Sequence, residues 1–127
     1  MATSLDNARG LLKKAESDLF TAQTVLATGR ALDSVCFHAQ QAVEKSLKAV
    51  LAAGDLPYPW THNLQQLSAL VKPVMPSIQP LESRMSELTP FAVGLRYDPD
   101  FEPSADEAER AVSTAQEVFR LVEIFLS

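Results

Sequence analysis

All eight prolines of this 127-residue chain lie between Pro57 and Pro103. Proline lacks a backbone donor and clashes with the preceding helical turn, so it is largely excluded from helix interiors. The middle of the chain can therefore hold only short helices, whereas the proline-free residues 1–56 and 104–127 can form long ones. The length suits one domain, and we predict a single domain over residues 1–127.

Apolar residues recur at intervals of three and four in both proline-free parts, which is typical of amphipathic helices. The predicted helices span residues 4–28, 32–53, 62–71 and 105–126, with interrupted helical content over 78–96 and an acidic loop over 97–103. The predicted boundary residues are Ser4 or Thr3, Gly29, Asp33, Gly54, Thr61 and a capping box of Ser104 and Glu107. The very short connection between the first two helices requires an antiparallel hairpin.

No segment shows the two-residue alternation that is typical of a β-strand. We therefore predict an all-α fold, a bundle of four to five helices in which a C-terminal helix packs on an antiparallel N-terminal helical hairpin. A column of small residues on the second helix, Val35, Ala42 and Ala49, permits close helix approach. The column is either a dimer surface or is buried against the first helix.

The charge and cysteine content exclude several classes of protein. The formal net charge is −5, and six of the sixteen acidic residues lie between Asp98 and Glu109. Such a chain is not expected to bind bulk nucleic acid, although one small phosphate-bearing ligand, or a basic partner at the acidic segment, remains compatible. The single cysteine, Cys36, can form neither an internal disulfide nor a cysteine zinc site.

Targeting and cofactor signals are missing from the sequence pattern. The N-terminal residues show no basic stretch before an apolar core, and no run approaches the roughly 18 apolar residues of a membrane span. The four glycines are too scattered for a phosphate-binding loop. We expect a cytoplasmic protein with no membrane partner, no metal and no cofactor.

The second predicted helix carries a narrow polar stripe opposite a broad apolar arc. The polar stripe consists of Ser34, His38, Gln41, Lys45 and Lys48, and Glu44 flanks it. It is either the solvated face of an amphipathic helix or the lining of a groove or symmetric interface. Its imidazole, amide and ammonium groups can bind an anion or a base edge.

Three further residues are candidates for a site. His62 follows the first prolines, where it caps a helix, packs with Trp60 on the hairpin or contributes to a site. Arg96 and Tyr97 precede the acidic loop. Arg96 either pairs with a neighbouring aspartate or grips a phosphate.

The second helix resembles the signature helix of a known family. Residues 36–49 have the sequence CFHAQQAVEKSLKA, followed by Thr-His-Asn-Leu at 61–64, Arg-Tyr at 96–97 and Glu-Ala at 107–108. This pattern is similar to that of the HEPN ("higher eukaryotes and prokaryotes nucleotide-binding") domain family. The resemblance covers roughly residues 5–126, and the match within the second helix is its specific part.

The resemblance implies a helical bundle of the nucleotidyltransferase-substrate-binding-like type that commonly forms a homodimer. It also implies a small nucleotidyltransferase as partner, in a toxin–antitoxin-like module, and a nucleotide as ligand. The candidate ligand-binding residues are the family matches His38, Gln41, Lys45, His62, Arg96 and Tyr97, together with Lys48 of the polar stripe.

One feature of many HEPN domains is missing. Those domains are ribonucleases with an Arg followed by four to six residues and then a His, and no Arg in this chain has that spacing; seven residues separate Arg30 from His38. The sequence therefore favours a non-catalytic protein that binds a nucleotide and a partner. The alternatives are a ribonuclease toxin that uses His38 or His62 across a dimer, and a purely structural helical adaptor.

Overall fold

The computed structural model describes residues 2–92 and 97–127 of the chain. These residues form five α-helices and two 3₁₀ helices, with no β-strand among them. The α-helices are α1 (Ser4–Thr28), α2 (Leu32–Ala53), α3 (Leu64–Val71), α4 (Glu82–Ser86) and α5 (Ala105–Leu126), and the 3₁₀ helices span Pro76–Leu81 and Thr89–Phe91. The predicted all-α bundle is confirmed.

The first helix of the N-terminal hairpin begins and ends at residues that the sequence predicts as its caps. Thr3 is the N-cap of α1, and it forms a capping box with Asp6. The backbone N–H and the hydroxyl of Thr3 lower the pKa of the Asp6 carboxyl. Gly29 ends α1 in the left-handed conformation, with φ of 70°, which a residue without a side chain adopts without strain.

Helix α2 lies in the middle of the molecule, because α1, α3 and α5 all pack against it. The small-residue column Val35, Ala42 and Ala49 is completely buried within this single chain. It therefore packs inside the bundle and offers no surface to a second copy. Cys36 is buried as well, and desolvation, followed by the charges of Glu107 and Asp33, raises the pKa of its thiol to about 12.

The proline-containing part differs from the prediction at the start of the third helix. Thr61 is not the N-cap, and the helix does not begin at residue 62; α3 begins at Leu64, and Asn63 accepts the backbone N–H of Gln66 at 3.1 Å. The hydroxyl of Thr61 instead accepts the N–H of Asn63 at 3.0 Å. Two nearby residues could each cap a helix, and sequence alone did not separate them.

The expected interruption after α3 is only partly correct. Proline ends regular α-helix there, but Pro76 begins a 3₁₀ helix and Pro80 lies inside it. A short 3₁₀ helix tolerates proline because few of its N–H groups need an intrahelical partner. The predicted Ser104–Glu107 capping box is confirmed at the start of α5, and α5 packs on both helices of the hairpin.

We expect opposite effects on stability from alanine at two glycines, one within α1 and one at its end. A Cβ at the exposed helical Gly10 would meet no heavy atom within 4 Å, so Gly10→Ala should raise the free energy of unfolding by about 0.5–1 kcal/mol. Gly29→Ala should lower it by about 1 kcal/mol, because a Cβ is strained at its positive φ. Urea denaturation measures both, and shifts of equal sign would contradict this account.

Candidate functional site

The polar stripe of α2 does not form a single solvated face. Ser34 is exposed, but the other four members face protein on two sides, and each side is organised around one carboxylate. Asp18 of α1 organises one side, and Glu44 of α2 itself organises the other. We call these groups the Asp18 cluster and the Glu44 cluster.

The Asp18 cluster joins the two helices of the hairpin. Nδ1 of His38 lies 2.9 Å from Oδ1 of Asp18, and Nζ of Lys45 lies 2.5 Å from Oδ2. An ionised carboxylate only accepts hydrogen bonds, so Nδ1 of His38 donates the proton of this contact. Lys45 brings its positive charge to the other oxygen of the same carboxylate.

The Glu44 cluster joins α2 to the residues that precede α3. Oε1 of Glu44 lies 2.8 Å from Nδ1 of His62, and Oε2 accepts from Nζ of Lys48 at 3.0 Å. Nε2 of Gln40 donates both to Oε1 of Glu44 and to the backbone carbonyl of His62, each at 3.1 Å. Gln41 extends the network by donating to Oε1 of Gln40 at 2.7 Å.

Burial differs sharply among the members of the Glu44 cluster. Gln40 is completely buried, and the side chain of Glu44 is only 5% exposed, whereas that of His62 is 53% exposed. A buried carboxylate needs several donors to replace its hydration, and Gln40, Lys48 and His62 supply them. The cluster is therefore anchored inside the protein and reaches solvent through the imidazole of His62.

Two aromatic rings complete the surface of this cluster. The ammonium of Lys48 lies 5.8 Å from the ring centroid of Tyr58 and 6.0 Å from that of Trp60, within the range of cation–π attraction. Tyr58 is about one-third exposed, and Trp60 is fully exposed. We call Tyr58 and Trp60 the aromatic pair.

The structure thus divides the predicted site residues into groups. His38 and Lys45 belong to the Asp18 cluster, and Gln41, Lys48 and His62 belong to the Glu44 cluster. The side chain of Tyr97 is largely exposed. Arg96 lies outside the described residues, and so does its predicted contact with a phosphate or an aspartate.

Sequence reasoning missed Asp18 and the aromatic pair, and it treated Glu44 only as a flank of the stripe. The four-residue spacing of Glu44 and Lys48 predicts an ion pair on one helix. This spacing could have identified Glu44 as a partner of the stripe. The alternation of prolines with Tyr58 and Trp60 was the signal for the aromatic pair. Asp18 had no comparable signal, because its contact depends on how α1 sits against α2.

Metal chemistry has little support among residues 2–92 and 97–127. No group of three or more His, Cys, Asp or Glu side chains there could hold a metal ion. In each cluster a lysine occupies the second oxygen of the carboxylate, and its charge opposes a cation. Within the same residues, no helix combines the length and apolar character needed to cross a membrane.

The fold is an all-α bundle, and its central helix contributes the His-Ala-Gln-Gln segment to the Asp18 cluster and the Glu44 cluster. Comparison with known proteins shows which class of helical domain this is. The family model for the HEPN domain matches residues 8–125, and the chain therefore belongs to the HEPN domain family.

Two relatives match over almost their whole lengths. The curated protein "Putative toxin MJ1304" of Methanocaldococcus jannaschii is 28% identical, and the match covers 94% of this chain and 88% of that protein. The crystal structure of TT1696 from Thermus thermophilus superposes with a TM-score of 0.79 at 29% identity, covering 92% of this chain and 96% of that one.

We expect the two classes of ion pair in this protein to differ strongly in their effect on stability. Glu44→Gln leaves the ammonium of buried Lys48 without a countercharge, so it should lower the free energy of unfolding by about 3 kcal/mol. Glu87→Gln, which removes the exposed pair with Arg110, is the matched control and should cost less than about 1 kcal/mol. Equal losses in urea denaturation would show that the Glu44 cluster does not support the fold.

Proposed function

We propose that this HEPN domain is a non-catalytic module that binds a nucleotide and acts with a small nucleotidyltransferase partner in a toxin–antitoxin-like system. The name of the Methanocaldococcus jannaschii relative, "Putative toxin MJ1304", supports the toxin–antitoxin-like setting. The absence of the ribonuclease spacing from the sequence supports the non-catalytic role. We further propose that the protein works as a homodimer in the cytoplasm.

The observation that carries nucleotide binding is the convergence of Lys48 and the half-exposed His62 on the single buried carboxylate of Glu44. The ammonium of Lys48 has three donors, and Glu44 takes one of them. The imidazole of His62 reaches solvent beside this ammonium, so a phosphate group there would meet a charged donor of Lys48 and the imidazole of His62.

The Asp18 cluster has a supporting part in this proposal. Lys45 and His38 tie α2 to α1 through Asp18, so they set the orientation of the helix that carries Lys48. Gln41 acts through Gln40, to which it donates, and thereby positions Glu44. These residues are positioning residues, whereas Lys48 and His62 would contact the ligand.

The protein should bind ATP and ADP in isothermal titration calorimetry. Lys48→Met should weaken binding at least about tenfold, because it removes a charge-assisted hydrogen bond. Lys72→Met, which breaks an exposed pair with Glu82 elsewhere on the molecule, is the control and should bind like the wild type. Absence of heat at roughly 1 mM ligand with a folded protein would contradict nucleotide binding.

A second candidate function, an RNA-cleaving toxin, is favoured by one observation. Glu44 holds Nδ1 of His62 at 2.8 Å, and this leaves Nε2 of a half-exposed imidazole to act as a general base. The proposed function predicts that labelled RNA stays intact with the wild type. If the wild type and His38→Ala cleave the RNA and His62→Ala does not, the ribonuclease function replaces the proposed one.

A further inference from the structure

We propose that Trp60 and Tyr58 form the stacking platform for the base of the nucleotide, so that contacts with the base, and not with the phosphate alone, set the affinity of this site. This inference rests on the proposed function, because it names the part of the ligand that the Glu44 cluster does not bind. It assigns a role to two rings that lie beside the ammonium of Lys48.

Trp60 is exposed to a degree that is unusual for a tryptophan. Trp60 has a relative exposure of 102%, the highest among the exposed large apolar side chains of the described residues. Tryptophan normally contributes to a protein by burying a large ring, and this ring contributes no burial in the isolated chain. The ring is therefore accessible to a flat, apolar partner.

The backbone around the aromatic pair is held in place before any ligand arrives. Pro57 and Pro59 flank Tyr58, and each proline fixes its own φ. The segment is tied to α2 at both ends: the N–H of Leu56 donates to the carbonyl of Leu51 at 2.9 Å, and the carbonyl of His62 accepts from Gln40. Little conformational entropy is therefore lost when a base stacks there.

The groups beside the rings match the rest of a nucleotide. The Lys48 ammonium lies about 6 Å from both ring centroids, and His62 shares Glu44 with it. A base stacked on Trp60 would thus have two potential phosphate ligands within the length of one nucleotide. Aromatic rings next to cationic groups are the usual means of holding unpaired bases with their phosphates.

A cleft that Tyr58 lines indicates the orientation of the ligand. This open cleft has a volume of about 660 Å³, and its lining combines Asp6 and Asp55 with uncharged polar and apolar residues. None of the ten described residues that line this cleft is cationic, so a phosphate is repelled there, whereas ribose hydroxyls and base N–H donors are accepted. The phosphate end should therefore face Lys48 and His62, and the nucleoside end should face Tyr58.

A partner protein is the competing occupant of an exposed tryptophan, since tryptophan is enriched in the anchor positions of protein interfaces. The ammonium of Lys48 beside the rings favours the nucleotide. If Trp60 contacts a partner protein, its substitution should weaken association with that protein and leave the affinity for a nucleotide unchanged. The experiment measures both quantities.

The test compares ADP, inorganic pyrophosphate and ribose 5-phosphate in isothermal titration calorimetry with wild type, Trp60→Ala and Trp60→Phe. We expect ADP to bind more tightly than the two ligands without a base. Trp60→Ala should weaken ADP binding about 5- to 30-fold and leave pyrophosphate binding unchanged. Trp60→Phe should retain most of the affinity, because it keeps an aromatic face.

Two further measurements complete the design. Trp60 is the only tryptophan in the chain, so quenching of wild-type fluorescence by ADP, without quenching by pyrophosphate, reports stacking directly. Phe20→Ala, which removes another exposed ring on α1, is the matched control and should bind ADP like the wild type. A 5′-phosphorylated oligoadenylate of three nucleotides is titrated in parallel with ADP. Tighter binding of ADP identifies the ligand as a free nucleotide, and tighter binding of the oligoadenylate identifies it as an RNA end.

The outcomes that overturn the inference differ from those that overturn the proposed function. Equal affinities for ADP and pyrophosphate, with no effect of Trp60→Ala, would show phosphate binding without base stacking. A change in sedimentation or in partner association on Trp60→Ala, with ADP affinity unchanged, would assign the aromatic pair to a protein interface. Failure of all phosphate ligands to bind a folded wild type would remove the proposed function, and the inference with it.

Discussion

The buried carboxylate of Glu44 determines how the proline-containing part of this protein meets its central helix. It lies in a helix that three other helices cover, and Gln40, Lys48 and His62 converge on it. A carboxylate that is removed from water is tolerated only when such donors replace its hydration. The backbone before α3 must therefore pass close enough to bring His62 to this carboxylate.

The Asp18 cluster repeats the same plan on the other side of α2. In both clusters, one carboxylate is shared between the Nδ1 of a histidine and the ammonium of a lysine. Lys45 and Lys48 are therefore each paired with a carboxylate within the protein. In the proposed function, selectivity must come from groups that remain open to solvent, and His62 and Trp60 are the ones next to Lys48.

The long helices and their ends were predictable because local rules control them. Thr3 begins α1, Gly29 ends it and the Ser104–Glu107 pair begins α5, all through contacts within a few residues, so these bounds follow from the local sequence. The start of α3 was misplaced by two residues, since Thr61 and Asn63 are both capping types. The site was harder to predict: the stripe on α2 was visible, but its division between Asp18 and Glu44 was not.

The sequence by itself determined that this protein is an all-α bundle of the HEPN family with a polar stripe on its second helix, because periodicity, caps and the signature segment are local properties. Only the tertiary structure decided what that stripe contacts. Asp18 lies 20 residues from His38, and His62 lies 18 residues from Glu44, so both pairs depend on how separate segments pack. Packing likewise buried the column of Val35, Ala42 and Ala49 inside the chain and left Trp60 in solvent, because burial depends on which segments meet and not on residue type alone.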